Sequence, residues 1–280
     1  MPKIGIFIPC YNVEKSITNV LNSFTPEALA AIDQVVVTDN CSQDKTLAIL
    51  KNIQSSPSLI GRKLVIIKNN QNYGLGGTQK IAYRYFIENG FSHFMIVHGD
   101  GQGNGGDIAQ SFLRTFTANP QADVILASRF MKKSDTAYYN RMRTLGNHVF
   151  NFLTFLLTGH KMTDSGAAIL FYRTEILNNL PFEHLTNSFQ FNPQLNILLY
   201  NQKNLKIIEV PLKWTDSKDE SNIKALNYCL TLLKILLGYR FNKTFRRKKG
   251  WEMFHAISQQ ISPSFELIKP NIKEYHHGIL

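Results

Sequence analysis

Residues 94–106 read FMIVHGDGQGNGG, an apolar strand running straight into a glycine-rich loop with one carboxylate, Asp100, and one carboxamide, Gln102. A strand end holds the aspartate rigid and small neighbours let phosphate oxygens approach, as a divalent cation held against a diphosphate requires. Asp-Gly dipeptides also make ordinary turns. The neighbouring segments decide between the two. Residues 4–9 (IGIFIP), 32–38 (IDQVVVT), 64–68 and 123–127 are further short apolar runs that predict strands. Apolar residues at helical spacing predict helices from Glu14, from Asp44 as N-cap, over 79–88 and over 108–116. Strands alternating with helices through short connections predict a mostly parallel α/β sheet flanked by helices. Such sheets bind ligands at the carboxyl ends of their strands. Four polar or glycine-rich loops fall there: 9–14, 39–44, 69–77 and 98–106.

The 280 residues, 44% hydrophobic, suffice for one large domain, expected over 1–221, with an extension over 222–280. The formal charge of +11 attracts anions, so nucleic acid, an anionic membrane surface and a phosphorylated substrate are the partners to separate. No nucleic-acid recognition module is evident. Cys10, Cys41 and Cys229 show neither disulfide nor metal spacing, which points to a reducing compartment. The chain enters a strand at once, without a signal peptide, and has no apolar run of about 20 residues to span a bilayer. A cytoplasmic protein is expected, soluble or peripheral at the inner face of the membrane.

Two segments, 145–158 and 222–241, are predicted helices that are apolar around most of their circumference. In the first, Asn147, Asn151, Thr154 and Thr158 form a narrow polar stripe; Lys224, Asn227, Thr231, Lys234 and Gly238 interrupt the second. Such helices need cover on most of their surface, from each other or from a membrane interface. Arg240, Lys243, Arg246, Arg247, Lys248 and Lys249 follow with no acidic residue between them. That arrangement suits anionic headgroups, and it is also the ordinary makeup of a solvated face.

A set of ordered motifs adds to this reading: Pro9-Cys10-Tyr11-Asn12-Val13-Glu14, Asp39-Asn40-Cys41-Ser42-Gln43-Asp44, Asn72-Tyr73-Gly74, Asp100-Gly101-Gln102, Ser128-Arg129-Phe130, Asp164-Ser165-Gly166, Tyr172-Arg173, Glu209-Val210-Pro211 and Glu220-Ser221. In this order they resemble the family 2 glycosyltransferases of GT-A fold, most closely the polyprenyl-phosphate (dolichol-phosphate-like) sugar transferases and their bacterial relatives. The resemblance implies a Rossmann-like GT-A sheet. It further implies metal-assisted, inverting transfer of a sugar from a UDP- or GDP-linked donor to a polyprenyl phosphate or another glycan precursor. Asp39 would accept the base N–H, Glu14 would meet a ribose hydroxyl, Pro9 to Tyr11 would border the base, and Gly74 belongs to the same donor pocket. Asp100 and Gln102, with His98 in place of the family's first aspartate, would hold Mg²⁺ or Mn²⁺. Arg129 would meet phosphate, and Asp164 would take the proton of a hydroxyl acceptor.

Three departures stand out. His98 changes the charge of the metal site and favours softer ions. Gly103-Asn104-Gly105-Gly106 replaces an aromatic residue and a proline, which predicts a more mobile loop. Ala168 stands where the family has an arginine, so that arginine's contacts to acceptor phosphate do not carry over. A catalytically degenerate binding or scaffold protein therefore remains an alternative. A sugar nucleotidyltransferase fits less well, because loop 9–14 lacks a glycine-rich triphosphate loop.

Overall fold

The computed structural model describes residues 2–136, 139–215, 225–241 and 264–270. Strands β1 (Ile4–Cys10), β2 (Gln34–Asp39), β3 (Leu64–Asn69), β4 (His93–Ile96), β5 (Val124–Ser128), β6 (Leu170–Arg173), β7 (Ile207–Pro211) and β8 (Phe265–Ile268) form one sheet, ordered β7-β5-β6-β4-β1-β2-β3-β8. The helices are α1 (Ile17–Asn22), α2 (Pro26–Ala30), α3 (Thr46–Gln54), α4 (Leu59–Lys63), α5 (Gly74–Glu88), α6 (Gly105–Ala118), α7 (Arg141–Thr158), α8 (Thr174–Asn178), α9 (Phe191–Tyr200) and α10 (Ala225–Phe241).

β1 pairs in parallel with β2 and β4, β2 with β3, and β5 with β7; β6 and β8 run antiparallel to their neighbours. The chain winds from β1 out to β3, then crosses to β4 on the other side of β1. Strand order therefore reverses between β1 and β4, and the crevice at such a reversal is where this architecture receives a ligand. Loops 9–14 and 98–106 leave those two strand ends. Both sheet faces are covered. Phe7, Phe86, Phe94 and Phe191 belong to one core, and Ile6, Ile8, Val20 and Phe112 to the other. Burial on both faces accounts for strands that read as continuous apolar runs.

The five strands expected from sequence are present. β6, β7 and β8 are additional, and their four or five residues become recognisable as strands only through their pairing. α5 starts at Gly74, ahead of the expected residue 79, because its glycines let the first turn press against the 186–187 backbone. A Cβ on Gly74 would lie 2.4 Å from the Asn187 carbonyl oxygen, and its φ is +72°. α6 likewise starts at Gly105, with the Asn104 side chain accepting from the Asp107 N–H at 3.0 Å as N-cap.

α7 reverses the usual amphipathic arrangement. Its polar stripe faces the protein: Asn151 donates to Thr163 O at 2.7 Å and accepts from the Ser165 N–H at 2.8 Å, and Thr154 is fully buried. Met142, Leu145, Val149, Phe152, Phe155 and Leu156 point outward, between 49% and 75% exposed. α10 packs on α7, burying Leu232, Ile235, Leu236 and Tyr239 while leaving Leu230, Leu233, Leu237 and Phe241 exposed. No described helix is long and apolar enough to cross a membrane. The basic run 243–249, Glu220-Ser221 and the expected boundary between 221 and 222 lie outside the described residues.

Candidate functional site

Loops 9–14 and 39–44 are built as a unit. The Asn12 N–H donates to Ser42 Oγ at 3.0 Å, and Asn12 Oδ1 accepts from the Gln43 N–H at 2.8 Å. Asp44 accepts from the Glu14 N–H at 3.0 Å, while the Glu14 carboxylate accepts from the Lys45 N–H at 2.9 Å. Asp44 also accepts from the Thr46 N–H at 2.9 Å at the start of α3, but the N-cap position belongs to Lys45, one residue after the aspartate expected there. Asn12 (φ +53°) and Cys41 (φ +63°), one in each loop, are the non-glycine residues with positive φ among those described. Such conformations persist where surrounding contacts enforce them, often at binding sites.

Pro9 lies opposite Thr38 at the end of β1, and Tyr11 stands on the rim, 40% exposed. Asp39 forms the floor at 1% exposure. Burial raises its pKa, with Asp44 adding to the effect and hydrogen bonds from Ser42 opposing it. For Asp44, burial pushes upward, but hydrogen bonds from Thr46 and Glu14 outweigh it and lower the pKa. The buried Cys10 thiol is raised first by burial and then by the charges of Asp39, Asp100 and Asp44. The sheet thus gathers three carboxylates around one strand end.

The Asp100 loop is anchored on both sides, where its glycines predicted mobility. Ser16 Oγ donates to Gly99 O at 2.7 Å, the Gly106 N–H donates to Ser23 Oγ at 3.0 Å, and the Thr215 N–H donates to Gln102 O at 2.8 Å. Asp100 itself accepts from the Gln102 N–H at 3.1 Å. His98 Nδ1 lies 4.0 Å from Asp100 Oδ2, and its Nε2 is buried without a hydrogen-bond partner. Burial lowers the His98 pKa against the pull of Asp100, which favours the neutral, ligand-competent imidazole. No group of three or more His, Cys, Asp or Glu among the described residues is placed to hold a metal ion by itself. His98 and Asp100 are thus two candidate donors side by side at the strand end, and an ion held there would need its other ligands from elsewhere.

Arg129 and Asp164, expected as separate phosphate partner and base, are instead each other's partner. Arg129 Nε and Nη2 donate to Asp164 Oδ2 and Oδ1, both at 2.8 Å, and the Arg129 N–H adds a third bond at 3.2 Å. With both oxygens engaged and no exposed surface, Asp164 is poorly placed to take a proton. Burial opposes the Arg129 charge, but Asp164 outweighs it and holds the guanidinium pKa above its ordinary value. Arg129 Nη1 and Asn147 Nδ2 both donate to Tyr139 Oη at 3.3 Å, which links the pair to α7. Trp214 packs edge-on to His98 with ring centroids 6.1 Å apart and is buried.

Lys80, which no sequence motif singled out, and Asn40, within the second loop, shape the mouth. Lys80, its pKa lowered to about 8 by burial, donates to Leu185 O and, at 2.7 Å, to Asn187 Oδ1, fixing the segment beside Gly74. Asn40 joins the second and third loops, donating to Asn72 Oδ1 at 2.8 Å and accepting from the Tyr73 N–H at 2.9 Å. A cleft of about 310 Å³ lined by Asn19, Gln102, Asn104, Lys213 and Thr215 borders the Asp100 loop. Another, of about 340 Å³, beside His93 and Arg173, lies at the opposite strand ends.

Residues 5–180 match the sequence model described as Glycosyl transferase family 2. The chain is 27% identical over 218 residues, 75% of its length and 84% of the relative's, to the UDP-N-acetylglucosamine--dolichyl-phosphate N-acetylglucosaminyltransferase of Methanococcus voltae. Its fold resembles that of the Mycobacterium tuberculosis glucosyl-3-phosphoglycerate synthase solved with Mn²⁺, UDP and glucosyl-3-phosphoglycerate, with a TM-score of 0.60 and 13% identity over 85% of this chain and 78% of that one. It also resembles S. aureus TarS in complex with UDP-GlcNAc, with a TM-score of 0.54 and 18% identity over 89% of this chain and 69% of that one. With the sheet reversal, the Asp100 loop and a family match over well above half its length, the chain belongs to glycosyl transferase family 2, and it is a glycosyltransferase of GT-A-like fold.

Proposed function

We propose that this glycosyltransferase moves a sugar from a UDP-linked donor onto a lipid-carried phosphate at a membrane surface. The observation that carries the donor reading is the gathering of Asp39, Asp44 and Asp100 around the end of β1, at the reversal of strand order. The UDP-containing structural neighbours and the nucleotide in the relative's name favour UDP. Asp39 on the floor receives the base N–H, Tyr11 and Pro9 border the base, and Glu14 faces the ribose. Gly74 keeps the third loop close. Asp100, Gln102 and His98 would hold Mg²⁺ or Mn²⁺; when bound, such an ion stabilises negative charge on the departing diphosphate.

The acceptor reading rests on the relative's dolichyl-phosphate and on the outward apolar faces of α7 and α10. These two helices carry Arg141, Arg143, Lys234 and Arg240 and no acidic residue, which suits a surface of anionic headgroups. A phosphate oxygen is already anionic, so it attacks the sugar C1 without a general base. The C1–O bond to the acceptor forms as the C1–O bond to the diphosphate breaks, with inversion. Asp164 then serves to hold Arg129 in place at the acceptor side. Ala168 leaves the acceptor phosphate to other cations, of which Arg141 and Arg143 at the start of α7 are the nearest in sequence to Arg129 on that helix.

Calorimetric titration of the protein with UDP and with GDP, each with and without Mn²⁺ or Mg²⁺, tests the donor site. Metal-dependent UDP binding that Asp100→Ala removes is the expected result. Absence of binding by either nucleotide would defeat the assignment.

A further inference from the structure

Among the described residues, the last strand, β8, closes the edge of the sheet beside the donor loops. β8 runs antiparallel to β3, with Phe265 opposite Asn69 and Ile268 opposite Ile66. Its far end is tied by Gln54, whose Nε2 donates to Leu64 O at 2.9 Å and to Ile268 O at 3.0 Å. The Lys68–Glu266 pair, 3.4 Å apart and solvent-exposed, adds little. At the mouth end the contacts concentrate on Ser264. The Asn70 N–H donates to Ser264 O at 3.1 Å, and the Asn70 side chain donates to Ser264 Oγ. The Ser264 N–H donates to Tyr73 Oη at 2.9 Å, while the Tyr73 hydroxyl donates to Ser264 O at 3.3 Å.

Tyr73 is the residue through which this reaches the site. Its ring is buried, its N–H donates to Asn40 Oδ1, and it immediately precedes Gly74 and α5. Asn40 follows Asp39, the floor of the base pocket, and also accepts from Asn69 Nδ2 at 3.0 Å. Asn72 Oδ1 accepts from the Gly74 N–H at 2.8 Å. A continuous chain of hydrogen bonds therefore runs from Ser264 through Tyr73 to Asn40, next to Asp39. The reciprocal pair at Ser264 ties that chain to a segment 191 residues away.

We propose that Tyr73 and Ser264 form a positioning clasp, by which the C-terminal strand sets the shape of loop 69–77 for the nucleotide. The proposal rests on the donor reading above. Tyr73→Phe removes the hydroxyl and keeps the ring. Ser264→Pro removes the N–H that the hydroxyl accepts. Each full-length variant should bind UDP with Mn²⁺ at least about fivefold more weakly, since each breaks at least one hydrogen bond, and should raise the donor KM more than it lowers kcat. The double variant should lose less than the sum of the two single losses, since both remove the bond from the Ser264 N–H to Tyr73, while Ser264→Pro also removes the Oγ that accepts from Asn70. Hydrogen exchange should quicken at the amides of residues 70–77 in both variants, with or without nucleotide. Unchanged exchange in Tyr73→Phe would overturn the clasp whatever the nucleotide result. Quickened exchange with unchanged UDP affinity would overturn its role in donor binding. A wild type that binds neither UDP nor GDP defeats the donor reading, and with it the clasp's link to nucleotide, while exchange still reports whether the contact holds the loop.

Discussion

Asp164→Ala is the substitution whose outcome separates the two roles open to that carboxylate. Its oxygens sit 2.8 Å from Arg129 Nε and Nη2, with side chains 1% and 15% exposed respectively. Removing it strands a guanidinium that water reaches poorly. Breaking a buried pair this way costs about 3–5 kcal/mol. In a domain of this size each kcal/mol lowers Tm by about 2–4 °C, so a fall of roughly 6–20 °C is expected. Thermal unfolding followed by circular dichroism measures it, alongside the pH dependence of kcat/KM. Replacing both members, Arg129→Met with Asp164→Leu, should recover most of the stability, because apolar groups of similar size need no charge partner, yet leave little activity. If instead Asp164→Ala melts within about 2 °C of wild type and abolishes the acidic limb of the pH profile, the carboxylate is a base, and the pairing argument fails.

Two other outcomes follow from the fold. Burial first, then the Arg173 charge, lowers the His93 pKa to about 4, with Asp123 opposing. The unfolded chain, at about 6.5, then binds the proton more readily. Stability from this group is complete above pH 6.5 and is lost as pH falls toward 4, by about 3 kcal/mol. His93→Gln should flatten that part of the stability profile, and an unchanged slope in urea titrations from pH 6.5 to 4 would refute it. On α7, Phe152→Glu with Leu156→Glu should cut flotation with phosphatidylglycerol vesicles by at least about tenfold, since each apolar side chain contributes about 1.5–3 kcal/mol on burial. Flotation equal to wild type would rule out this face as the lipid contact.

The apolar runs that became β1 to β5 and the polar loops at their ends were legible in the sequence. Period and strand-end chemistry are local properties, and both survive in the structure: Asp39 and Asp100 stand at the strand ends expected of them. The glycines after Gln102, read as loosening the loop, also permit the close start of α6 under Asn104. The apolar pattern of 145–158 gave a helix correctly and said that most of its surface needs cover. Only tertiary packing decided that Asn151 and Thr154 turn inward and Phe152 outward; Thr163 and Ser165 supply Asn151 with its hydrogen bonds there. The Arg129–Asp164 pair joins residues 35 positions apart. The Ser264–Tyr73 clasp joins residues 191 apart. A hydrophobic period states which face must be covered, and a motif states which donors stand at a strand end. Which distant group meets them depends on where the rest of the chain is brought, and that is fixed by the sheet order and the packing on its two faces.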